Sequence, residues 1–217
     1  EKYLSSKLIL KKHPWILSTK SSYSLAGGLI DCEKNIWIGL MERQGKDYIV
    51  SFSLDKRDQS PKILYSSKGF LGYLALNPKA NKLAWIEWDQ ATMPWDYNEL
   101  NFARLNEKGD IFKTITLNSK YLKVDKQISF FNPIWSDKGE LYVAQDISGW
   151  WNLTKITTDI ENKIITSIQQ KWPMNAEIGL PQWVLGMSTF SCAGEDVIGA
   201  FSSNGSWSLA IFFEQGS

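Results

Sequence analysis

A short phrase, a turn followed by a β-prone strand, returns four times along this sequence of 217 residues. In its clearest copy a Ser-Asp-Lys-Gly turn precedes a strand at 140–145. Successive residues of a strand point to opposite faces, so Leu141 and Val143 would face one side of a sheet and Tyr142 and Ala144 the other.

The spacing of the copies predicts the fold class. Equivalent strand positions are Trp37, Trp85, Tyr142 and Ile198, which are 48, 57 and 56 residues apart. Repeats of about 40–50 residues with four short strands each are typical of β-propeller blades. A β-sandwich also has many short strands, but it has no reason to repeat one phrase. We therefore predict an all-β chain that forms a partial β-propeller of about four blades, each a four-stranded antiparallel sheet, as a fragment of a larger propeller.

The strands and turns also give blade boundaries. Within one partial propeller domain, 1–217, we predict the end of a preceding blade at 1–20, blades at 24–66, 70–117 and 128–169, and an incomplete blade at 179–214. The last of these contains Asn204-Gly205, a strong hairpin signal because both residues tolerate positive φ. Helices should be scarce, since no segment longer than ten residues keeps a helical period.

Composition and charge exclude several classes of function. Basic residues number 24 and acidic residues 23, without a basic stripe, so no nucleic-acid partner is predicted. No apolar run approaches the roughly 20 residues of a membrane helix, so no membrane partner is predicted either. Cys32 and Cys192 lack metal-type spacing and are predicted to be buried free thiols in a reducing compartment. No metal and no cofactor are predicted, because ligand clusters and phosphate-binding glycine loops are missing from the sequence.

The sequence predicts no catalytic residues. His13 is the only histidine, and the nearest approach to a Gly-x-Ser-x-Gly nucleophile motif, at 186–190, lacks its second glycine. Glycoside hydrolysis needs paired carboxylates, and the candidates are Glu87, Asp89, Asp96 and Glu99. Glu87 and Asp89 share strand parity and could lie close together, so a small propeller glycosidase is one alternative. A stand-alone propeller that binds another protein is a second alternative.

Three phrases resemble a known family. They are LAWIEWDQATMPWDYNEL at 83–100, FNPIWSDKGELYVAQDISGWWNL at 131–153 and AEIGLPQWVLGMSTF at 176–190. Together they resemble the propeller domain of the prolyl oligopeptidase family of serine peptidases (family S9), and within it the acylaminoacyl-peptidase or dipeptidyl-aminopeptidase branch. That family often has His-Pro-Asn before Met-Pro-Trp-Asp, where this sequence has Gln90-Ala91-Thr92. No role of that histidine carries over.

The resemblance implies an architecture and a function. Family members place the propeller over an α/β-hydrolase domain and use it to restrict access to the active site. This chain is then expected to gate and orient short peptide substrates for a hydrolase domain that the chain does not contain. The expected parent is a cytoplasmic serine peptidase, with intramolecular contact between propeller and hydrolase domain. The sequence leaves the oligomeric state open.

Inter-strand loops are the predicted recognition surface, since binding residues concentrate on loops. The candidate substrate-binding residues are Met93, Trp95, Asp96, Trp150, Trp151 and Asn152. Trp151 begins a strand, which favours packing between blades over binding for this residue, whereas for Trp95 packing and contact with a ligand are equally good explanations. The resemblance adds Glu177, because dipeptidyl-peptidase relatives use propeller acids to hold the free amino terminus of a substrate. A solvated loop carboxylate is the competing interpretation of Glu177.

Overall fold

The computed structural model describes residues 17–18 and 22–214. Most of the blade end predicted at 1–20 lies outside the described residues. Strands make up most of the described chain, and they form four separate antiparallel sheets. One helix of four residues, α1 (Ser119–Leu122), is present in the described part. It lies between the second and third sheets. No helix of these residues is long and apolar enough to cross a membrane.

Each sheet is a meander, in which strands pair in the order of the chain. The first sheet contains β1 (Ser24–Asp31), β2 (Ile36–Arg43), β3 (Lys46–Ser53) and β4 (Lys62–Ser66). The second contains β5 (Phe70–Leu76), β6 (Lys82–Trp88), β7 (Glu99–Leu105) and β8 (Ile111–Leu117). The third contains β9 (Phe130–Trp135), β10 (Leu141–Gln145), β11 (Asn152–Asp159) and β12 (Ile164–Gln170). The fourth has three strands among the described residues: β13 (Phe190–Ala193), β14 (Asp196–Ser203) and β15 (Ser206–Phe212).

The sheets stand side by side around their first strands. Strand β1 contacts β5, β5 contacts β9, and β9 contacts β13. Apolar side chains fill each gap between neighbouring sheets, with Trp85 fully buried between the first two. Burial of a large apolar side chain stabilises a fold by about 1.5–3 kcal/mol, so these gaps hold the sheets together.

Strand β10 shows why the middle sheets are apolar on both faces. Leu141 and Val143 pack in a cluster shared with the second sheet, whereas Tyr142 and Ala144 pack in a cluster shared with the fourth. The predicted two-sided alternation of this strand is confirmed. The third sheet is therefore an internal layer.

A β-bulge recurs in the first strands of the first three sheets. The left-handed residues are Gly27, Tyr73 and Asn132, with φ of +61°, +56° and +54°. Each lies where the pairing with the second strand shifts register. At Tyr73 this conformation is held by packing, since its ring contacts Phe131 at 5.5 Å and its hydroxyl donates to the Val184 carbonyl at 3.1 Å.

Antiparallel order fixes which loops share an end of the sheets. The β2–β3 turn, its counterparts at 89–98 and 146–151, and the links between sheets at 67–69, 118–129 and 171–189 lie at one end, here called the linker face. The turns between first and second strands lie at the opposite end. The long insertions are thus gathered on the linker face, where a partner or substrate could meet them together.

The burial of one cysteine differs from the sequence interpretation. Cys32 is exposed in the β1–β2 turn and Cys192 is half-buried, so the prediction of two buried thiols is wrong for Cys32. Burial raises the pKa of the Cys192 thiol to about 11. The segment that precedes the fourth sheet, at 180–189, is a loop. Before this loop, Glu177 forms an isolated β-bridge with Ser202 of β14.

Candidate functional site

Loop 89–98 is fixed to the linker face by a buried polar network. The side-chain amide of Asn98 donates to the carbonyls of Pro94 (2.7 Å) and Phe130 (2.9 Å) and accepts from the Phe130 N–H (2.8 Å). Ser129 Oγ donates to the same Pro94 carbonyl (2.7 Å), and Gln182 Nε2 donates to that of Phe130 (2.9 Å). Buried polar groups need such partners, so the loop is held by specific hydrogen bonds to β9 and to the link at 171–189.

The tip of this loop presents three of the predicted site residues. Met93 is 54% exposed, Asp96 is exposed, and Trp95 is half-buried. The Trp95 ring packs on Trp183 with centroids 4.3 Å apart. The exposed link residue Trp183 therefore extends the surface that Met93 and Trp95 begin.

Among the predicted residues Trp150, Trp151 and Asn152, the last two serve internal packing. Asn152 is fully buried, donates to the Ala176 carbonyl (3.0 Å) and accepts from the Met174 N–H (2.6 Å). Trp151 packs on Phe131 with ring centroids 5.5 Å apart. The Asn152 hydrogen bonds tie β11 to the link at 171–189, and the Trp151 ring packs against β9. Only Trp150 of this group is exposed on the linker face.

Glu177 is held by the backbone beside it. Its Oε2 accepts the Trp151 N–H at 2.9 Å, and the residue is half-buried. Its own backbone exchanges two hydrogen bonds with Ser202, at 2.9 and 2.8 Å. The carboxylate is thus engaged in fixing the link against β11 and does not stand free in solvent.

A cavity of about 680 Å³ opens beside loop 89–98 on the linker face. Its walls bring together the predicted residues Met93, Trp95 and Asp96. The other predicted residues, Trp150, Trp151, Asn152 and Glu177, do not line it. Phe70 and Asp146 also line it. Sequence reasoning missed both, although Asp146 lies inside the phrase at 131–153 that carries the family resemblance.

Asp146 is the partly buried acid of this cavity. Burial raises the pKa of the Asp146 carboxyl, while the Ser129 N–H, at 2.8 Å from Oδ1, and the charge of Lys126 lower it in part. A positive charge placed near Asp146 would therefore favour its ionised form.

A second cavity of about 400 Å³ runs along the first strands, next to the recurring bulges. Residues Leu185–Ser188 of the link cover one side of it. Tyr73 lines it, and burial raises the pKa of the Tyr73 hydroxyl to about 12. Among the described residues, its lining contains no carboxylate, lysine or histidine, so these residues assemble no acid–base pair there.

Among the carboxylates considered for glycoside hydrolysis, Glu87 is engaged as an acceptor. Glu87 accepts from Tyr65 (2.8 Å), Ser67 (2.7 Å) and the Lys68 N–H (3.0 Å). A general acid for that chemistry has to carry a proton, whereas all three neighbours use the oxygens of Glu87 as acceptors. In the part of the chain that the structure describes, no group of three or more His, Cys, Asp or Glu side chains could hold a metal ion.

Comparison with solved structures decides the fold. A puromycin-hydrolyzing peptidase of Mycobacterium tuberculosis matches with a TM-score of 0.75 and 22% identity, over 92% of this chain and 31% of that chain. Prolyl oligopeptidase B from Galerina marginata matches with a TM-score of 0.61 and 12% identity, over 88% and 26%. The β-propeller domain of the Trilobed protease from Pyrococcus furiosus matches with a TM-score of 0.52 and 12% identity, over 89% and 56%. The fold is a β-propeller.

The predicted propeller class is thereby confirmed. The resemblance of the three sequence phrases is also confirmed as a likeness of fold, since the neighbours are propeller regions of puromycin hydrolase and prolyl oligopeptidase. No family model matches the sequence, and no curated protein matches it. The chain spans about 30% of the length of the puromycin hydrolase chains it matches.

Proposed function

We propose that this chain is the non-catalytic propeller region of a serine peptidase of the prolyl oligopeptidase type, in its acylaminoacyl-peptidase or dipeptidyl-aminopeptidase branch. In this role it admits and orients short peptides for an α/β-hydrolase domain of the same protein. The observation that carries the proposal is the apolar linker face. Large side chains stand exposed at its loop tips, including Trp183 (70%), Val184 (64%) and Met93 (54%). Such a surface is typical of contact with a partner domain or a substrate.

The outer face of the fourth sheet supports a larger propeller. Cross-strand pairing places Ile198 beside Ile211 and Ala200 beside Leu209 on this face. Leu209 is 78% exposed and Ile211 is 52% exposed. The corresponding faces of the first three sheets are covered by the next sheet. A further sheet of the same protein, packed here as the fourth packs on the third, would bury this surface.

The neighbours support peptide chemistry for the parent. One is a puromycin-hydrolyzing peptidase, and the prolyl oligopeptidase B structure is bound to a 35mer hydrolysis and macrocyclization substrate. We place the parent in the cytoplasm, a compartment that keeps thiols reduced, because Cys32 and Cys192 are both free.

The natural protein tests this proposal. An antibody raised against this chain would be used to isolate the protein from a cell extract, and its intact mass and its labelling by a serine-directed fluorophosphonate would be measured. We expect about three times the mass of this chain, from its 30% share of the puromycin hydrolase chains, together with labelling. The chain alone is the control and should not react. An unlabelled protein of about the mass of this chain would overturn the proposal in favour of a stand-alone binding propeller.

A further inference from the structure

We propose that the cavity beside loop 89–98, here called the cation cavity, binds an organic cation carried on an apolar stem. Peptides offer this chemistry in two forms, a free amino terminus and the side chain of lysine or arginine. The choice of a peptide as the carrier rests on the proposed function. The binding of a cation rests on the walls of the cavity alone.

The first observation is that three aromatic side chains line the cavity. Phe70 and Trp88 line the cavity as a pair with ring centroids 5.8 Å apart. Trp95 lines it as well and is backed by Trp183. The faces of such rings attract ammonium and guanidinium groups, and they also bury an apolar stem. Rings of this kind would bind a neutral apolar ligand equally well, so charge has to decide the ligand class.

The second observation is the charge of the lining. Asp96 and Asp146 are its two ionisable residues, and both are acidic. The side chain of Asp96 forms no hydrogen bond or ion pair with another described residue, so its charge is available to a ligand. Lys126 does not line the cavity, and its ammonium donates to the Ile147 carbonyl. Its charge acts on Asp146, so Asp96 is the acid on which the preference for a cation mainly rests. The cavity therefore favours a cation over a neutral or anionic ligand.

The surroundings reinforce this preference. A smaller cavity shares Trp88 with the cation cavity and is lined by Glu87, Asp89 and Glu99, with Lys68 as its one basic residue. Acidic groups thus outnumber basic ones on both sides of Trp88. A surface on which acidic residues predominate raises the local concentration of cationic ligands.

The third observation is that the cavity is formed before any ligand arrives. The Asn98 network fixes Pro94, which lies between Met93 and Trp95 in the wall. Asp146 Oδ1 is fixed by the Ser129 N–H. A site that is already ordered loses less conformational entropy on binding, so even a small ligand can be held.

The test is a titration of the full chain labelled with ¹⁵N and followed through the indole N–H signals of Trp88 and Trp95. Three probes separate the possibilities: N-acetyl-arginine amide carries only a side-chain cation, phenylalanine amide carries only an amino-terminal cation, and N-acetyl-phenylalanine amide is neutral. We expect at least one cationic probe to shift these two signals at concentrations where the neutral probe does not. The probe that binds more tightly identifies the source of the cation.

Variants assign the effect to the cavity. Asp96→Asn removes a charge at an exposed position and should weaken binding of the cationic probe at least about fivefold. Phe70→Leu keeps an apolar wall without the ring and should weaken it about twofold to fivefold. The control is Asp137→Asn, which removes the same charge from an exposed turn at the opposite end of the sheets and should leave binding unchanged.

Two results would overturn the proposal: equal binding of the neutral and cationic probes, or equal affinity of the Asp96→Asn and Asp137→Asn variants. An unchanged spread of amide signals shows that each variant is folded. The titration uses this chain alone, whereas fluorophosphonate labelling uses the natural protein. Failure of the cation cavity and failure of the peptidase proposal can therefore be told apart.

Discussion

At the scale of single residues, Asn98 joins loop 89–98 to the link at 118–129 and to β9. Its side chain makes four hydrogen bonds, to Pro94, Ser129 and both backbone groups of Phe130, and it is fully buried. Asn98→Ala leaves these groups short of partners in a region without access to water. We expect the free energy of unfolding, measured by urea denaturation, to fall by about 2–4 kcal/mol.

The matched control for this substitution is Asn162→Ala. Asn162 is exposed and bonds only to Asp159 in the same turn, so its loss should cost less than about 1 kcal/mol. Equal costs for the two alanine variants would show that the buried network does not hold the loop.

Glu214 gives stability a defined dependence on pH. Burial by itself raises the pKa of its carboxyl, but hydrogen bonds from Lys155 (2.7 Å) and the ion pair with Lys171 (3.1 Å) outweigh burial and lower the pKa below its ordinary 4.5. Because the folded pKa lies below the unfolded one, the stabilisation is complete above pH 4.5 and is lost as the pH falls through the folded value. Glu214→Gln should therefore destabilise the chain at pH 7.

Urea denaturation from pH 7 to pH 3 measures this effect. The difference between parent and Glu214→Gln should shrink once the pH is below 4.5. Glu195→Gln is the control, because it breaks an exposed ion pair, which is worth at most about 1 kcal/mol. A Glu214→Gln difference that stays constant over this range would contradict the assignment.

At the scale of elements, the link at 171–189 packs beside β11 through a close contact between Gly179 and the Trp151 ring. A Cβ built on Gly179 would overlap the indole of Trp151, so only glycine fits beneath this ring. We expect Gly179→Ala to lower the free energy of unfolding by about 1–3 kcal/mol, measured by urea denaturation. In a Trp151→Ala background the same substitution should cost much less, because the clash is gone. Additive costs would mean that the ring is not the obstacle.

The elements also show what the sequence could predict. The β14–β15 hairpin was predictable because its signal is local: Asn204 and Gly205 both adopt positive φ, 49° and 78°, as the dipeptide favours. The alternation of β10 was predictable for the same reason. The bulge at Tyr73 was not, because tyrosine has no preference for positive φ. Its conformation depends on Phe131 and Val184, which are distant in sequence.

The candidate site also contains both residues that a local sequence pattern could indicate and residues that it could not. Met93, Trp95 and Asp96 could be predicted to share a surface because they lie close together in one distinctive loop. Phe70 and Asp146 come from different sheets and reach the same cavity only through packing, so no local pattern marks them. A substrate role stays a prediction for all seven predicted residues, Met93, Trp95, Asp96, Trp150, Trp151, Asn152 and Glu177. For Trp151 and Asn152 the internal contacts already explain the residue type.

At the scale of the whole molecule, the outer face of the fourth sheet governs behaviour in solution. Leu209→Lys places a charge on this exposed apolar surface. We expect less aggregation of the chain and weaker fluorescence of a hydrophobic dye, with no loss of stability. Ser208→Lys, the adjacent position on the other face of β15, is the control and should not reduce dye binding. In the natural protein Leu209→Lys should instead lower the stability of the fold, because the proposed further sheet would bury the lysine side chain.

Each of the four described sheets packs against the sheets beside it, so the sheets form a row in which each one is stabilised by its neighbours. Cooperativity in such a row decays with distance, and opening starts from the units with one neighbour. Hydrogen exchange should record this order: amides of β6 and β10, each in a sheet covered on both faces, exchange more slowly than those of β14, the middle strand of the fourth sheet. Equal protection would mean that all four sheets open as one unit. A ligand that bridges the second and third sheets, as one in the cation cavity does, would couple the two most protected units and slow their exchange together.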